Sequence, residues 1–160
     1  MPVSSCSEFT VPGSIAAHPR IGDHDAIDIH AATDSYGWDG DDGLGERLIR
    51  QIIEGKKTAT CCPKFAMTEE ELAESHANVG KLVTITNKDG VPRCNVRILE
   101  CFETTFGDPA PRLLKGEGGT LEQFRESHQR AWGEWLAGLG KKLTDDMVLV
   151  AERFELVDVA

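Results

Sequence analysis

The sequence contains no apolar run near the roughly 20 residues that a helical membrane span requires, and no Cys-x-x-Cys pair. The first absence excludes an ordinary transmembrane helix, and the second removes the sulfur signature of structural zinc domains. Basic residues are scarce: 17 Lys and Arg stand against 27 Asp and Glu, a net charge of −10 with His neutral. That balance argues against a broad grip on a polyphosphate chain, which works through clustered Lys and Arg. It leaves room for a small basic pocket on an acidic body, and it suits a neutral or singly charged ligand better than a long duplex. The opening residues Met1 to Glu8 lack the basic-then-apolar pattern of a secretory signal. Five cysteines, an odd number with Cys61 and Cys62 adjacent, do not resemble a disulfide framework. The expectation is a soluble, cytoplasmic protein with no membrane partner.

What is present fits one domain. A chain of 160 residues, 40% apolar and 28% charged, has globular composition and room for a single sizeable core. Residues 1–33 show early Pro, Gly and Ser and no sustained periodicity, and read as an N-terminal extension; residues 34–160 read as the folded domain. The extension holds His18, His24 and His30 beside Asp23, Asp25 and Asp28. These are good metal ligands in type, but no known metal spacing is met, and a solvated extension or a short edge strand over 26–30 accounts for them. Leu44, Leu48, Ile49, Ile52 and Ile53 form one apolar stripe of a helix that Gly55 stops. Thr68 with Glu71 predicts a capping box and a second helix. Residues 81–86 predict a strand with a turn at 87–90, residues 91–106 a bent strand or two, 120–139 a third long helix, and 147–157 a closing strand. Helices among hairpin-linked strands, without strict βαβ alternation, imply an α+β domain around a small barrel.

Four stretches carry a likeness beyond these patterns: Leu48 to Thr60, ending GKKTAT; Gly80 to Val83; Gly116 to His128; and Leu143 to Phe154. In order and spacing the chain resembles the ASCH family, specifically its longer bacterial branch, over about three-quarters of its length. The resemblance implies a PUA-like β-barrel flanked by helices, with a cleft holding the charged residues of the first motif. Family members are linked to RNA binding, to hydrolysis of N4-acetylcytidine and to RNA cleavage. Carried over position by position, the amidohydrolase motif places a lysine at Lys57, a threonine at Thr60 and a glutamate at Glu117.

The chemistry implied is coherent. A threonine hydroxyl needs a base to take its proton before it attacks an acyl carbonyl. A lysine serves as that base only if its pKa falls from about 10.4, through burial or a neighbouring cation; Lys56 is such a neighbour. A glutamate can protonate the leaving amine and later activate water. Two readings stand beside this one. A Lys-Lys pair past a helix end also complements the helix dipole, and a Gly-Glu-Gly-Gly stretch ahead of a helix is also an ordinary loop, whose glycines permit unusual backbone angles. Geometry adds a condition: residues three apart on a flat strand face opposite ways, so Lys57 and Thr60 converge only if the chain bends after Gly55.

The sequence departs from the family pattern at several places. Lys115 stands where a second acid is frequent. Residues 61–65 read CCPKF, so that Phe65 can supply a ring for stacking a base and Lys64 a phosphate contact, or Phe65 simply fills core. Tyr36 and Trp38 either line the cleft or brace the following helix. Cys61 and Cys62 suggest a thiol nucleophile, but no histidine is near in sequence, and free cysteine is usually packing. His128, four residues after Phe124 on the third helix, reads as a packed or surface histidine, and Arg153 as a solvated or paired charge. The expected function is a metal-free, cofactor-free amidohydrolase acting on an N4-acylcytidine-type nucleoside. The alternatives are a module that binds single-stranded RNA in the same cleft and a metal-independent ribonuclease.

Overall fold

The structure is a computed structural model that describes residues 27–160. His18, His24, Asp23 and Asp25 therefore lie outside the described residues. The elements run β1 (Thr33–Tyr36), α1 (Leu44–Ile53), β2 (Ala59–Pro63), a single 3₁₀ turn (Lys64–Ala66), α2 (Glu69–Ala77), β3 (Leu82–Asn87), β4 (Pro92–Thr105), α3 (Pro111–Glu117), α4 (Leu121–Gly138) and β5 (Val148–Val159). Residues 27–30 form no strand; the edge strand lies later, at β1.

The helices begin where side chains can satisfy their free amides. Thr68 caps α2, accepting from the Glu71 amide while Glu71 returns a carboxylate to the Thr68 amide, the predicted box. Thr120 and Gln123 do the same for α4, a box the sequence reading passed over. Asn87 closes the β3–β4 hairpin, its Oδ1 accepting from the Asp89 and Val91 amides at 3.0 Å each. β4 is one long strand rather than two, and its pairing with β5 slips at Asn95/Val96 and again at Ile98/Glu100. Such bulges bend a strand without breaking it.

The five strands form one mixed sheet in the order β1-β3-β4-β5-β2. β1 and β3 are parallel, and every other pair is antiparallel. β1 and β2 are thus the two edges of the hydrogen-bonded ladder, which does not close between them. Side chains nonetheless meet across that gap: the Thr60 hydroxyl of β2 hydrogen-bonds the Tyr36 phenol of β1. The barrel expected from the resemblance is a curled sheet with a seam, flanked by four helices.

Each face of the sheet has its own core. On one face Ala59, Cys61, Leu149 and Ala151 pack against Leu113 of α3 and Phe124, Trp132 and Leu136 of α4. On the other, Tyr36, Val83, Ile85, Val96, Ile98 and Phe154 enclose Ile49 and Ile52 of α1. β2 gives Ala59 and Cys61 to the first core, and Thr60 between them faces the other way.

Candidate active site

The turn after α1 places the first charged residue. The Gln51 carbonyl accepts from the Lys56 and Lys57 amides at 2.8 and 3.0 Å, and Gly55 takes a left-handed φ of 75°. The chain bends there, and Lys57 turns inward until it is only 3% exposed. Its Nζ donates to the Ala59 carbonyl at 2.7 Å and to Glu117 Oε2 at 3.0 Å. A buried ammonium requires such partners, since an isolated one would forfeit most of its hydration.

Glu117 arrives differently from the sequence expectation. Gly116 and Glu117 do not form a loop ahead of a helix; they are the last two residues of α3, and Gly118, at φ 81°, caps its C-terminus. Gly116 has a packing reason to be glycine: a Cβ there would lie 2.2 Å from the Cβ of Ala59 and 2.9 Å from its amide nitrogen. The close approach lets the Gly116 carbonyl accept from the Thr58 amide at 2.8 Å. α3 is thereby pressed onto the start of β2, and Glu117 onto Lys57. A carboxylate at a helix C-terminus meets the unfavourable end of the dipole, which Lys57 offsets.

The other Glu117 oxygen faces two groups that sequence reasoning had set aside. Oε1 lies 3.8 Å from Cys61 Sγ and 3.8 Å from His128 Nε2, and Sγ and Nε2 are 3.6 Å apart. His128 is wedged between the Phe124 and Trp132 rings, with centroids at 4.1 and 4.7 Å, and its Nδ1 lies 2.7 Å from the Phe124 carbonyl. Only a protonated Nδ1 can bond a carbonyl, so Nε2 presents its lone pair to Sγ in the neutral ring. Burial, the largest influence, holds the His128 pKa below the ordinary histidine range, and it pushes the Cys61 thiol well up, with the Glu117 charge adding to the rise. The i, i+4 spacing of Phe124 and His128 and the GEG-to-helix sequence were the only local signals of this cluster.

Thr60 sits on the opposite face of β2 from Cys61, opposite Glu152 in the β2–β5 register. It borders a cavity of about 50 Å³ in the seam between the edge strands, with Asp34, Tyr36, Glu152, Ile98 and Phe154. Glu71, Glu74, Ser75 and Asn78 of α2 lie along its other side. Burial, and then the nearby Glu152 charge, raise the Asp34 pKa to about 8. Burial likewise lifts Glu152 to about 7, against a hydrogen bond from Ser75 that favours the ion. Near neutral pH Asp34 holds its proton and Glu152 is partly protonated, and each can donate a hydrogen bond in that form. The Lys57 charge lowers the Asp34 pKa slightly and the Glu117 charge adds slightly to the rise at Tyr36, each the last and smallest of the influences on its group.

The remaining sequence candidates lie farther out. Lys56 is 71% exposed and paired with Glu54 at 2.7 Å; Lys64 is paired with Glu103 at 2.5 Å. Phe65 is half-exposed, stacked on Trp135 at 5.8 Å beneath the Lys141 ammonium. Trp38 packs against the α3/α4 core, whereas Tyr36 is buried and faces the seam. Lys115 is exposed on α3, and Arg153 is paired with Glu100 at 3.3 Å. Among the described residues no helix is long and apolar enough to cross a membrane.

Comparison with known proteins agrees with this architecture. No curated protein matches the chain. A crystal structure of a protein from Enterococcus faecalis V583 superposes with a TM-score of 0.65 at 26% identity, over 80% of this chain and 77% of that one. The ASCH domain from Lactobacillus crispatus JV V101 superposes with a TM-score of 0.64 at 24% identity, over 79% and 80% of the two chains, a likeness of fold. The model of the ASCH domain matches residues 37–158, from the turn after β1 to the end of β5. With the curled five-strand sheet, the flanking helices and a match over most of its length, the chain belongs to the ASCH domain family.

Proposed function

We propose that the protein is an amidohydrolase that removes a small acyl group from the exocyclic nitrogen of an N4-acylcytidine-type nucleoside. The observation that carries this reading is the buried Lys57–Glu117 pair, 3.0 Å apart, beside the start of the strand that carries Thr60. The pair holds one mobile proton between a base and an acid. In the ionic form Lys57 cannot accept a proton. Transfer of that proton to Glu117 gives a neutral amine beside a neutral acid, the form this reading requires.

From the neutral form, Lys57 takes the Thr60 proton as the hydroxyl attacks the acyl carbon. Glu117 protonates the departing cytosine nitrogen, leaving an acyl-threonine. The resulting Glu117 carboxylate then takes a proton from water as it attacks the ester, and Lys57 returns its proton to the departing Thr60 oxygen, which releases the free acid and restores the neutral pair. The substrate is neutral, in keeping with the acidic chain. Protonated Asp34 and Glu152 suit the carbonyl and ring nitrogen of a cytosine. A cavity of about 50 Å³ bounded by Ile98 and Phe154 accepts an acyl group the size of acetyl, while the nucleoside enters only if α2 moves off the seam. The lysines suited to phosphate contact, Lys56 and Lys64, are both committed to carboxylates, which favours this reading over an RNA-binding one.

The test is incubation with N4-acetylcytidine and, separately, with labelled single-stranded RNA, comparing the unaltered protein with Lys57→Ala, Thr60→Ala and Glu117→Gln. Acetyl release that disappears in all three variants supports the proposal. RNA fragmentation lost with Lys57→Ala, or RNA retention without turnover of either substrate, refutes it.

A further inference from the structure

We infer that Cys61, Glu117 and His128 form a binding site for a zinc-type divalent cation. The three come from separate elements, β2, the C-terminus of α3 and the middle of α4, and among the described residues they are the group whose ligand atoms converge closely enough to share one ion.

The separations are those of a ligand set around a metal. Zinc bonds to sulfur at about 2.3 Å and to imidazole nitrogen or carboxylate oxygen at about 2.0 Å, so tetrahedral angles set ligand-to-ligand distances of about 3.3–3.6 Å. The observed triangle is 3.6 Å from Sγ to Nε2, 3.8 Å from Sγ to Oε1 and 3.8 Å from Nε2 to Oε1. A contraction of a few tenths of an ångström brings all three onto one ion. In the metal-free state the Cys61 thiol can donate to Nε2 or to Oε1, while those two atoms, both acceptors, are left facing each other at 3.8 Å.

Two of the ligands already have the supporting partners that metal ligands require. His128 directs Nδ1 to the Phe124 carbonyl at 2.7 Å, which fixes the tautomer with Nε2 free to coordinate. Glu117 is held through its other oxygen by Lys57 at 3.0 Å, so that Oε1 stays aimed at Cys61 and His128. The bound state balances: the thiol loses one proton, and thiolate plus carboxylate neutralise the two positive charges of the ion, with Lys57 outside the coordination sphere. Three protein donors leave the fourth tetrahedral position open, as in catalytic rather than closed structural zinc sites. Thiolate and imidazole together favour zinc over magnesium or calcium. The inference rests on this geometry and not on the amidohydrolase reading.

The test is cobalt substitution in the full chain. One equivalent of Co²⁺ added to metal-free protein is expected to release about one proton and to give a near-ultraviolet sulfur-to-cobalt charge-transfer band together with intense tetrahedral visible bands, both lost when Zn²⁺ displaces the cobalt. Cys61→Ser is expected to abolish the charge-transfer band, His128→Gln to weaken Zn²⁺ affinity at least about 100-fold, and Lys57→Met, which frees the carboxylate, about 10-fold. Cys94→Ser and Cys101→Ser should retain the band. Far-ultraviolet circular dichroism checks the fold of each variant. If Cys61→Ser does not fold, the wild-type charge-transfer band read against the His128→Gln and Cys101→Ser proteins decides the question. Cobalt binding without a sulfur band, a band that persists in Cys61→Ser, or Zn²⁺ affinity unchanged in His128→Gln would each overturn the inference. None of these readouts depends on amide hydrolysis.

Discussion

Gly116→Ala places two known effects in opposition, and the structure says which prevails. Replacing glycine by alanine inside a helix ordinarily stabilises by about 0.5–1 kcal/mol, because the chain surrenders less entropy on folding. At Gly116 the added methyl would stand 2.2 Å from the Ala59 Cβ and 2.9 Å from a backbone nitrogen, where ordinary contact begins near 3.4 Å. Neither neighbour is the far end of a flexible side chain, so α3 must withdraw from β2 by about 1 Å or more. Overpacking of this kind costs about 1–3 kcal/mol. The withdrawal also strains the 2.8 Å bond from the Thr58 amide to the Gly116 carbonyl and the Lys57–Glu117 pair, and a lost hydrogen bond adds about 1 kcal/mol. The expected net destabilisation is about 2–3 kcal/mol, a fall in Tm of roughly 4–12 °C for a domain of this size. Gly138→Ala is the control: it lies at the end of α4 with open space where its Cβ would go, and should leave stability unchanged or slightly raised. Urea denaturation read by Trp fluorescence measures both. A Gly116→Ala protein as stable as wild type would refute the claim that contact with Ala59 sets the position of Glu117.

Lys57→Met removes the partner of a mostly buried carboxylate and is expected to cost about 3–5 kcal/mol, with the double variant Lys57→Met/Glu117→Gln recovering most of it; chemical denaturation of the four proteins of the cycle gives the coupling. Asp34 has a raised pKa in the fold, so the folded state binds more protons than the unfolded chain between the ordinary 3.8 and about 8, and the stabilisation at low pH is lost as pH rises through that window. Stability measured for wild type and Asp34→Asn should therefore diverge, the variant gaining about 6 kcal/mol relative to wild type across the window at about 1.4 kcal/mol per pH unit; parallel curves would contradict the burial of this carboxyl. Thr120→Ala deletes the α4 cap and should cost about 1 kcal/mol in the same denaturation assay, with little effect on the seam.

Local signals made much of the fold readable. The stripe of α1, the Thr68 box of α2, the Asn87–Gly90 turn and the two long strands all follow from spacings within a dozen residues, and all stand where the sequence put them. β1 was too short to announce itself. α3 carries no helical periodicity of its own, because its seven residues include Pro111 at the start and Gly116 near the end. Proline is tolerated in a first turn, and Gly116 answers to Ala59 rather than to its own backbone angles, which no local pattern reveals.

The site itself depends on contacts far apart in sequence. Lys57 and Glu117 are 60 residues apart and Cys61 and His128 are 67 apart, and what joins them is the lodging of α3 and α4 on one face of the β2–β5 pair. That same pairing explains why the adjacent residues Thr60 and Cys61 belong to different surroundings. β2 is an edge strand, so one face looks into the seam it shares with β1 and the other onto α4. Alternation of side chains along it sends the hydroxyl into the acidic cavity and the thiol to the imidazole. Lys57, before the strand begins, is bound by neither alternation, and its ammonium reaches Glu117 on the α4 side while its charge is felt by Asp34 in the seam. The GKKTAT segment thus marks the place where the two faces of the sheet come into electrical contact. Any chemistry at Thr60 and any ion at Cys61 must act through the one carboxylate, Glu117, whose two oxygens are turned to different neighbours.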